Sequence, residues 1–155
     1  MTAREQDELR AHFGFRCGYC GVSEVLVGAF LHCDHFHPTS RGGSDDASNQ
    51  VYCCVACNGF KGAYWPQSQS EFSLLHPLRD DLSLHIREEN GTLVGLSPRG
   101  RFHVELLHLN RLPLVLHRRK LADDREVDER IRELELQIEA DSEIISRLLE
   151  QLDEL

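Results

Sequence analysis

Apolar and polar positions change rhythm several times along this chain, and each change marks an element. Thr2 followed by Glu5 is a capping box, which predicts a short helix running to about His12 and ended by Gly14. "FRCGYCG" is then a Gly-rich knuckle. "EVLVGAFLHCDHF", residues 24–36, is β-branched and aromatic and predicts a strand stopped by Pro38. Turn residues fill "PTSRGGSDDASN", which reads as a loop, and "QVYCC" reads as a second, short strand. "VACNGFKGAYW" predicts a helix that tolerates two glycines and ends before Pro66.

From Leu82 the rhythm shortens to a period of two. "LSLHIREE", "TLVGLS" and "RFHVELLHL" alternate apolar with polar residues and predict a three-stranded antiparallel meander, with Asn90-Gly91 as its hairpin turn. Asn110 caps a final helix in which Pro113 is tolerable only in the first turn. From Val127 the spacing becomes four-three: Val127, Ile131, Leu134, Ile138, Asp141, Ile145, Leu148, Leu152, Leu155. That is a coiled-coil seam with one polar break, on a helix too long for a domain of this size to cover. The sum is an α+β chain in three segments: a core at 1–66, a β-meander extension at 67–110 and a long acidic helix at 111–155.

Charge follows the same division. The net charge of −9 is unevenly spread: residues 1–120 carry 13 Lys/Arg and 13 Asp/Glu, while residues 121–155 carry 4 and 13. The acidic tail therefore says nothing against a nucleic-acid ligand for the body. No apolar run approaches membrane-spanning length and the N-terminus is polar, so a cytoplasmic protein is expected, with no membrane partner. Six cysteines could form three disulfides. Cys17/Cys20 and Cys54/Cys57 are each spaced C-x-x-C, however, and together read as one four-thiolate structural zinc site. Cys33 and Cys53 remain as small buried hydrophobes.

Between the two knuckles lie Asp34-His35, Gly42-Gly43 and Asn49, and after them Asn58 and Lys61. In this order the features resemble the HNH endonuclease family, in the branch whose ββα-metal fold is braced by a four-cysteine zinc. Asn58 stands where many members have His, which is similar to the HNN variant of RNA-guided nucleases. The resemblance covers about 45 residues and extends more faintly through "YWP" and "LHPLRDDLS" to "LHLNR". It implies hydrolysis of phosphodiester bonds, in DNA rather than RNA.

The residues fit that chemistry on their own terms. His35 suits a general base because its ordinary pKa lies near neutrality. Asp34 and the amide oxygen of Asn58 suit a single hard ion, Mg²⁺ or Mn²⁺. Lys61, one turn after Asn58, is placed to neutralise phosphate charge, with Arg41 as a second candidate. His37 is a further ligand or phosphate contact, or simply a half-exposed polar residue. From the resemblance alone, Asn49 holds the loop bearing the base. For Asp34 and His35 to serve one cleft the first strand must twist or bulge, since neighbours on a strand face opposite ways. Tyr64 and Trp65 could stack on bases, but read first as closing the C-terminal end of the motif helix. Of the other histidines, His32 reads as structural, and none of His76, His85, His103, His108 and His117 reads as a metal ligand.

Two functional readings follow. One is a metal-dependent endonuclease, dimerised or docked to a partner protein through residues 121–155, as in a phage-defence assembly. The other is a non-catalytic zinc-braced adaptor acting through its coiled coil. Retention of Asp34, His35, Asn49, Asn58 and Lys61 together favours the enzyme.

Overall fold

The computed structural model describes residues 2–67 and 72–153. Leu155 and the Leu152 side chain lie outside what is described, and with them the last two positions of the predicted seam. Residues up to Val115 form one compact unit, and those from Leu116 onward form a second.

Helix α1, Ala3–His12, starts as its capping box dictates. The Thr2 hydroxyl accepts from the Glu5 amide, and the Glu5 carboxylate accepts from the Thr2 amide at 2.6 Å. Residues 24–31 are not strand, contrary to their β-branched composition. Ser23 caps one helical turn, α2 (Glu24–Val27), by accepting from the Leu26 amide, and Gly28 ends it at φ 70°. Glu24 is held there by the Arg10 guanidinium at 2.9 and 3.0 Å and by the Tyr52 hydroxyl. A local cap and a two-toothed ion pair outweigh β propensity, which is a weak preference.

Strand β1 is consequently short, His32–His35, and pairs antiparallel with β2, Gln50–Cys53. Every residue of β2 is buried, and Val51, Tyr52, Cys53 and Cys57 make the centre of the core. Helix α3, Val55–Lys61, begins at Cys54 and stops at Gly62, whose φ of 51° leaves the helical region. β1, β2 and α3 make the ββα unit, and α3 packs against β1.

The extension is a hairpin and a helix rather than a three-stranded meander. β3 (Ile86–Glu89) and β4 (Thr92–Gly95) are joined by Asn90-Gly91, both at positive φ as this two-residue turn requires. The third expected strand is helix α4, Pro98–Leu106. The Ser97 hydroxyl accepts from the Gly100 amide at 3.0 Å and Pro98 occupies the first helical position, a start signal that overrides the alternating pattern behind it. A Cβ on Gly100 would lie 1.9 Å from the His85 carbonyl oxygen, so only glycine lets α4 approach so closely. Asn110 braces β4: its side chain accepts from the Leu93 amide at 2.7 Å and donates to the Leu93 carbonyl at 2.8 Å.

Helix α5 runs Leu112–Asp153, 42 residues, or about 63 Å at 1.5 Å per residue. Val127, Ile131, Leu134, Ile138, Ile145 and Leu148 are each 47–64 % exposed along it. Asp141, at the polar break, accepts from Gln137 one turn earlier. Among the described residues no helix is long and apolar enough to cross a membrane.

Candidate functional site

The two knuckles converge. The sulfurs of Cys17, Cys20, Cys54 and Cys57 all lie within 4.8 Å of one another, and Cys20 and Cys54 are 3.8 Å apart. Zinc–sulfur bonds of about 2.3 Å in a tetrahedron put the sulfurs about 3.8 Å apart, whereas a disulfide needs about 2 Å. The donor set therefore fits zinc, with no fifth position. Crowding makes the thiols unequal. Hydrogen bonds from Cys17 and the other two hold Cys54 far below the usual thiol range, while the same contacts push Cys57 and Cys20 up. Only a cation lets all four ionise together. Arg111 supplies part of the compensating charge: its Nη2 lies 3.9, 3.9 and 3.8 Å from the sulfurs of Cys20, Cys54 and Cys57.

Asp34, in the third position of β1, turns toward α3. The Lys61 ammonium lies 2.9 Å from its Oδ2, and the Tyr19 hydroxyl donates to the same oxygen at 3.2 Å. Lys61 also donates to the His35 carbonyl at 2.8 Å. Its side chain has no exposed surface, and that of Asp34 is 10 % exposed. The expected contact of Lys61 with phosphate is thus replaced by an internal one: the lysine stem is buried, and its charge is spent on Asp34 and the strand. Burial, and next the Asp34 carboxylate, raise the Tyr19 phenol well above its usual value, so it stays a donor.

His35 turns the other way. Its Nε2 lies 2.7 Å from Asp45 Oδ1, and both line a cavity of about 360 Å³ with Glu5, Leu9 and Gln50. β1 runs from His32 opposite Cys53 to His35 opposite Gln50 without an extra residue. The expected bulge is absent, and plain alternation sends Asp34 and His35 to opposite faces. The same cavity receives Gln50, whose Oε1 is buried without a hydrogen-bond partner among the described residues.

The loop after β1 is pinned by Asn49. Its Oδ1 accepts from the His37 amide at 2.9 Å, and its Nδ2 donates to the carbonyls of His37 (2.9 Å) and Ser44 (2.7 Å). A Cβ on Gly43 would lie 1.8 Å from the His37 carbonyl oxygen, so the second glycine of the pair is required by close approach. His37 donates from Nε2 to the Arg41 carbonyl at 2.9 Å and stacks on Trp65, ring centres 3.9 Å apart. Arg41 itself is exposed on a 3₁₀ turn. Asn58 is half-buried in the middle of α3, one turn before Lys61.

Residues 17–63 match the HNH endonuclease family model. The matched HNH segment holds both knuckles, β1, β2 and α3, and leaves out the hairpin, α4 and α5. The chain is also similar to the Septu protein PtuB of Bacillus thuringiensis, 29 % identical over 142 residues, 86 % of this chain and 54 % of that protein. It thus spans about half the length of that curated relative. No solved structure matches it. Three residues at the site escape sequence reasoning: Tyr19, Asp45 and Arg111. Tyr19 lies inside the first knuckle and Asp45 in a loop of ordinary turn residues. Arg111 is 91 positions from the Cys20 it faces, beyond any local signal.

Proposed function

We propose that this chain is a metal-dependent endonuclease that hydrolyses phosphodiester bonds of DNA, with His35 as general base. The observation that carries the reading is the small cavity lined by His35, Asp45 and Gln50, in which His35 Nε2 lies 2.7 Å from Asp45 Oδ1. Asp45 accepts from Nε2, which leaves the Nδ1 lone pair to take a proton. A water hydrogen-bonded to Nδ1 would give that proton to His35. Its oxygen attacks phosphorus opposite the 3′-oxygen, which leaves 5′-phosphate and 3′-hydroxyl ends.

Asp34 and Asn58 are the residues that would hold Mg²⁺ or Mn²⁺. A carboxylate offers about four lone-pair sites, so Asp34 keeps capacity beyond its bonds to Lys61 and Tyr19. When bound, the ion supplies positive charge to the phosphate and the departing oxygen. Asp34 and His35 leave opposite faces of β1 at its last two residues, so a phosphodiester lying across the strand end meets both. Arg41 and His37, on the loop beyond that end, contact neighbouring phosphates. Asn49 positions that loop, and the four cysteines hold zinc outside the chemistry.

Sequence preference comes from elsewhere, since the core reads backbone better than bases. The exposed seam of α5 is the surface through which the protein pairs with itself or docks to a partner, in the cytoplasm and in a phage-defence assembly. The second reading, a zinc-braced adaptor that binds without cutting, draws on the uptake of Asp34 by Lys61 and Tyr19. Nicking of supercoiled plasmid with Mg²⁺, Mn²⁺ or EDTA separates the two. Metal-dependent nicking that His35→Ala abolishes, with zinc content unchanged, supports the enzyme. No nicking by zinc-loaded wild type with either ion favours the adaptor.

A further inference from the structure

Asp45 is 89 % exposed, so packing does little to hold it against His35, and its place depends on the backbone around it. A single 3₁₀ turn, Ala47–Asn49, follows it and leads into β2. Inside that turn the Asn49 amide donates to the Asp46 carbonyl at 2.8 Å. The Asn49 carbonyl accepts from the Phe36 amide at 2.8 Å, which ties the turn to the end of β1. The Ser48 carbonyl turns instead to the extension. It accepts from the Arg79 guanidinium, 31 positions away, and from the ring of His76.

His76 is set up to donate there. It is buried, and its ring packs 4.5 Å from that of Phe36. Its Nδ1 accepts from the Leu78 amide at 3.2 Å, which puts the proton of the neutral ring on Nε2. A carbonyl oxygen has two lone pairs, so Ser48 can hold both donors. The segment that presents them is anchored in its turn. The His76 amide donates to Asp80 Oδ2 at 2.7 Å, and the amides of Arg79 and Asp80 donate to the His76 carbonyl at 3.2 and 3.1 Å. Arg99, on α4, holds Asp80 at 3.1 and 3.2 Å and donates to the Leu74 carbonyl at 2.9 Å. A continuous chain of hydrogen bonds thus runs from α4 through Asp80 and His76 to Ser48, three residues from Asp45.

We propose that His76 and Arg79 are positioning residues for the nuclease reaction. Together they grip the Ser48 carbonyl, set the turn Ala47–Asn49, and so hold Asp45 where it fixes the tautomer of His35. The inference deepens the nuclease reading and rests on it. It gives the segment "LHPLRDD" a task beyond packing: the extension braces the catalytic loop without contributing a group to the chemistry. Small displacements matter here, because a general base works only within hydrogen-bond reach of the proton it takes.

The ring nitrogens of His35 report the brace directly. Full-length, zinc-loaded protein with ¹⁵N-labelled histidine, without added Mg²⁺ or Mn²⁺, is observed by NMR at about pH 8, where an ordinary imidazole is neutral. His35→Ala identifies the signal, and in wild type Nε2 is expected to carry the proton. Arg79→Ala, on the surface, and His76→Phe, in the interior, should each move the signal toward a mixture of tautomers. In plasmid nicking with Mg²⁺ the same variants should lower kcat about fivefold and leave KM little changed. His76→Gln keeps an N–H donor and should restore both readouts. Adding Arg79→Ala to Asp45→Ala should slow nicking no further, because the route through Asp45 is already lost. An unmoved His35 signal in correctly folded Arg79→Ala overturns the brace. Equal losses in His76→Gln and His76→Phe do so too, as do losses from Arg79→Ala and Asp45→Ala that multiply. The ring signal reads no cleavage. Wild type that nicks plasmid, with signal and rate untouched by Arg79→Ala, overturns the brace and leaves the nuclease standing. A moved signal in a protein that nicks nothing does the reverse.

Discussion

Lys61 Nζ lies 2.9 Å from Asp34 Oδ2, with the lysine side chain wholly buried and the aspartate nearly so. The pair joins the last residue of α3 to β1, 27 positions away, and fixes the helix against the sheet. A buried pair of this kind is costly to break from one side, because the remaining charge has no water to return to. Lys61→Met should therefore destabilise the protein by about 3 kcal/mol or more. Asp34→Asn with Lys61→Met should recover part of that loss, since the double change leaves no buried charge. Urea unfolding of the four forms measures the coupling. Additive losses would show that the two side chains do not depend on each other.

His35 and Asp45 form the pair on the opposite face of the strand. Asp45 is 89 % exposed, so its contribution to stability is small and its role is to hold the imidazole by one tautomer. Asp45→Ala should leave the urea midpoint unchanged and slow plasmid nicking about tenfold, far less than His35→Ala. Asp45→Asn keeps an acceptor oxygen and should fall between wild type and Asp45→Ala. Equal rates for Asp45→Ala and wild type would assign the orientation of His35 to other groups.

What could be read from the chain in advance was local. Thr2 with Glu5, Asn90-Gly91 and the paired C-x-x-C spacings each settle their own conformation within a few residues, and the structure contains all of them. Residues 24–31 and α4 were obscured because their composition argues for strand while a single cap residue, Ser23 or Ser97, decides for helix. The faces of Asp34 and His35 depend on whether the strand bulges, which no residue type announces. Asp45 and Arg111 matter through partners 10 and 54 to 91 positions away, so only the fold reveals them.

Arg111 tests the metal centre without touching a ligand. Four thiolates around Zn²⁺ carry two net negative charges, and the guanidinium within 4 Å of three sulfurs offsets part of that. Arg111→Met keeps the bulk of the stem and removes the charge. Zinc affinity, measured by competition with a chromogenic chelator, should fall by about 10- to 100-fold, while one zinc per chain is still bound at saturation. An unchanged affinity would make Arg111 a packing residue over the Phe60 ring, which it also covers.

His103 gives the fold a pH dependence of defined sign. It is 3 % exposed, its Nδ1 accepts from the Leu75 amide at 3.1 Å, and burial, then the Arg99 charge, pushes its pKa down to about 4. Between that value and the ordinary 6.5, the unfolded chain holds a proton that the folded chain does not. Stability from this group is therefore complete above pH 6.5 and is lost progressively as pH falls toward 4. The whole effect is about 3 kcal/mol at most. His103→Gln should unfold more easily at pH 7 yet lose less stability than wild type between pH 7 and 4.5. Parallel pH profiles for the two proteins in urea unfolding would remove His103 as the cause.

The seam of α5 gives the last prediction. Six apolar side chains at four-three spacing, each about half exposed, lie on a helix with acidic residues around them. An isolated helix of this composition gains most of its stability by burying such a stripe against another helix. Asp141 interrupts the stripe at a position that would face the partner, and a polar residue there favours one register over the others at some cost in affinity. Self-pairing places acidic flanks side by side, so it should strengthen with salt as that repulsion is screened. Sedimentation at low and high salt, wild type beside the double substitution Ile131→Glu with Leu134→Glu, reads this directly. A dimer that salt strengthens and the substitutions dissolve assigns the seam to a second copy of the chain. A monomer at every salt concentration assigns it instead to a partner protein with a basic flank, whose binding salt would weaken.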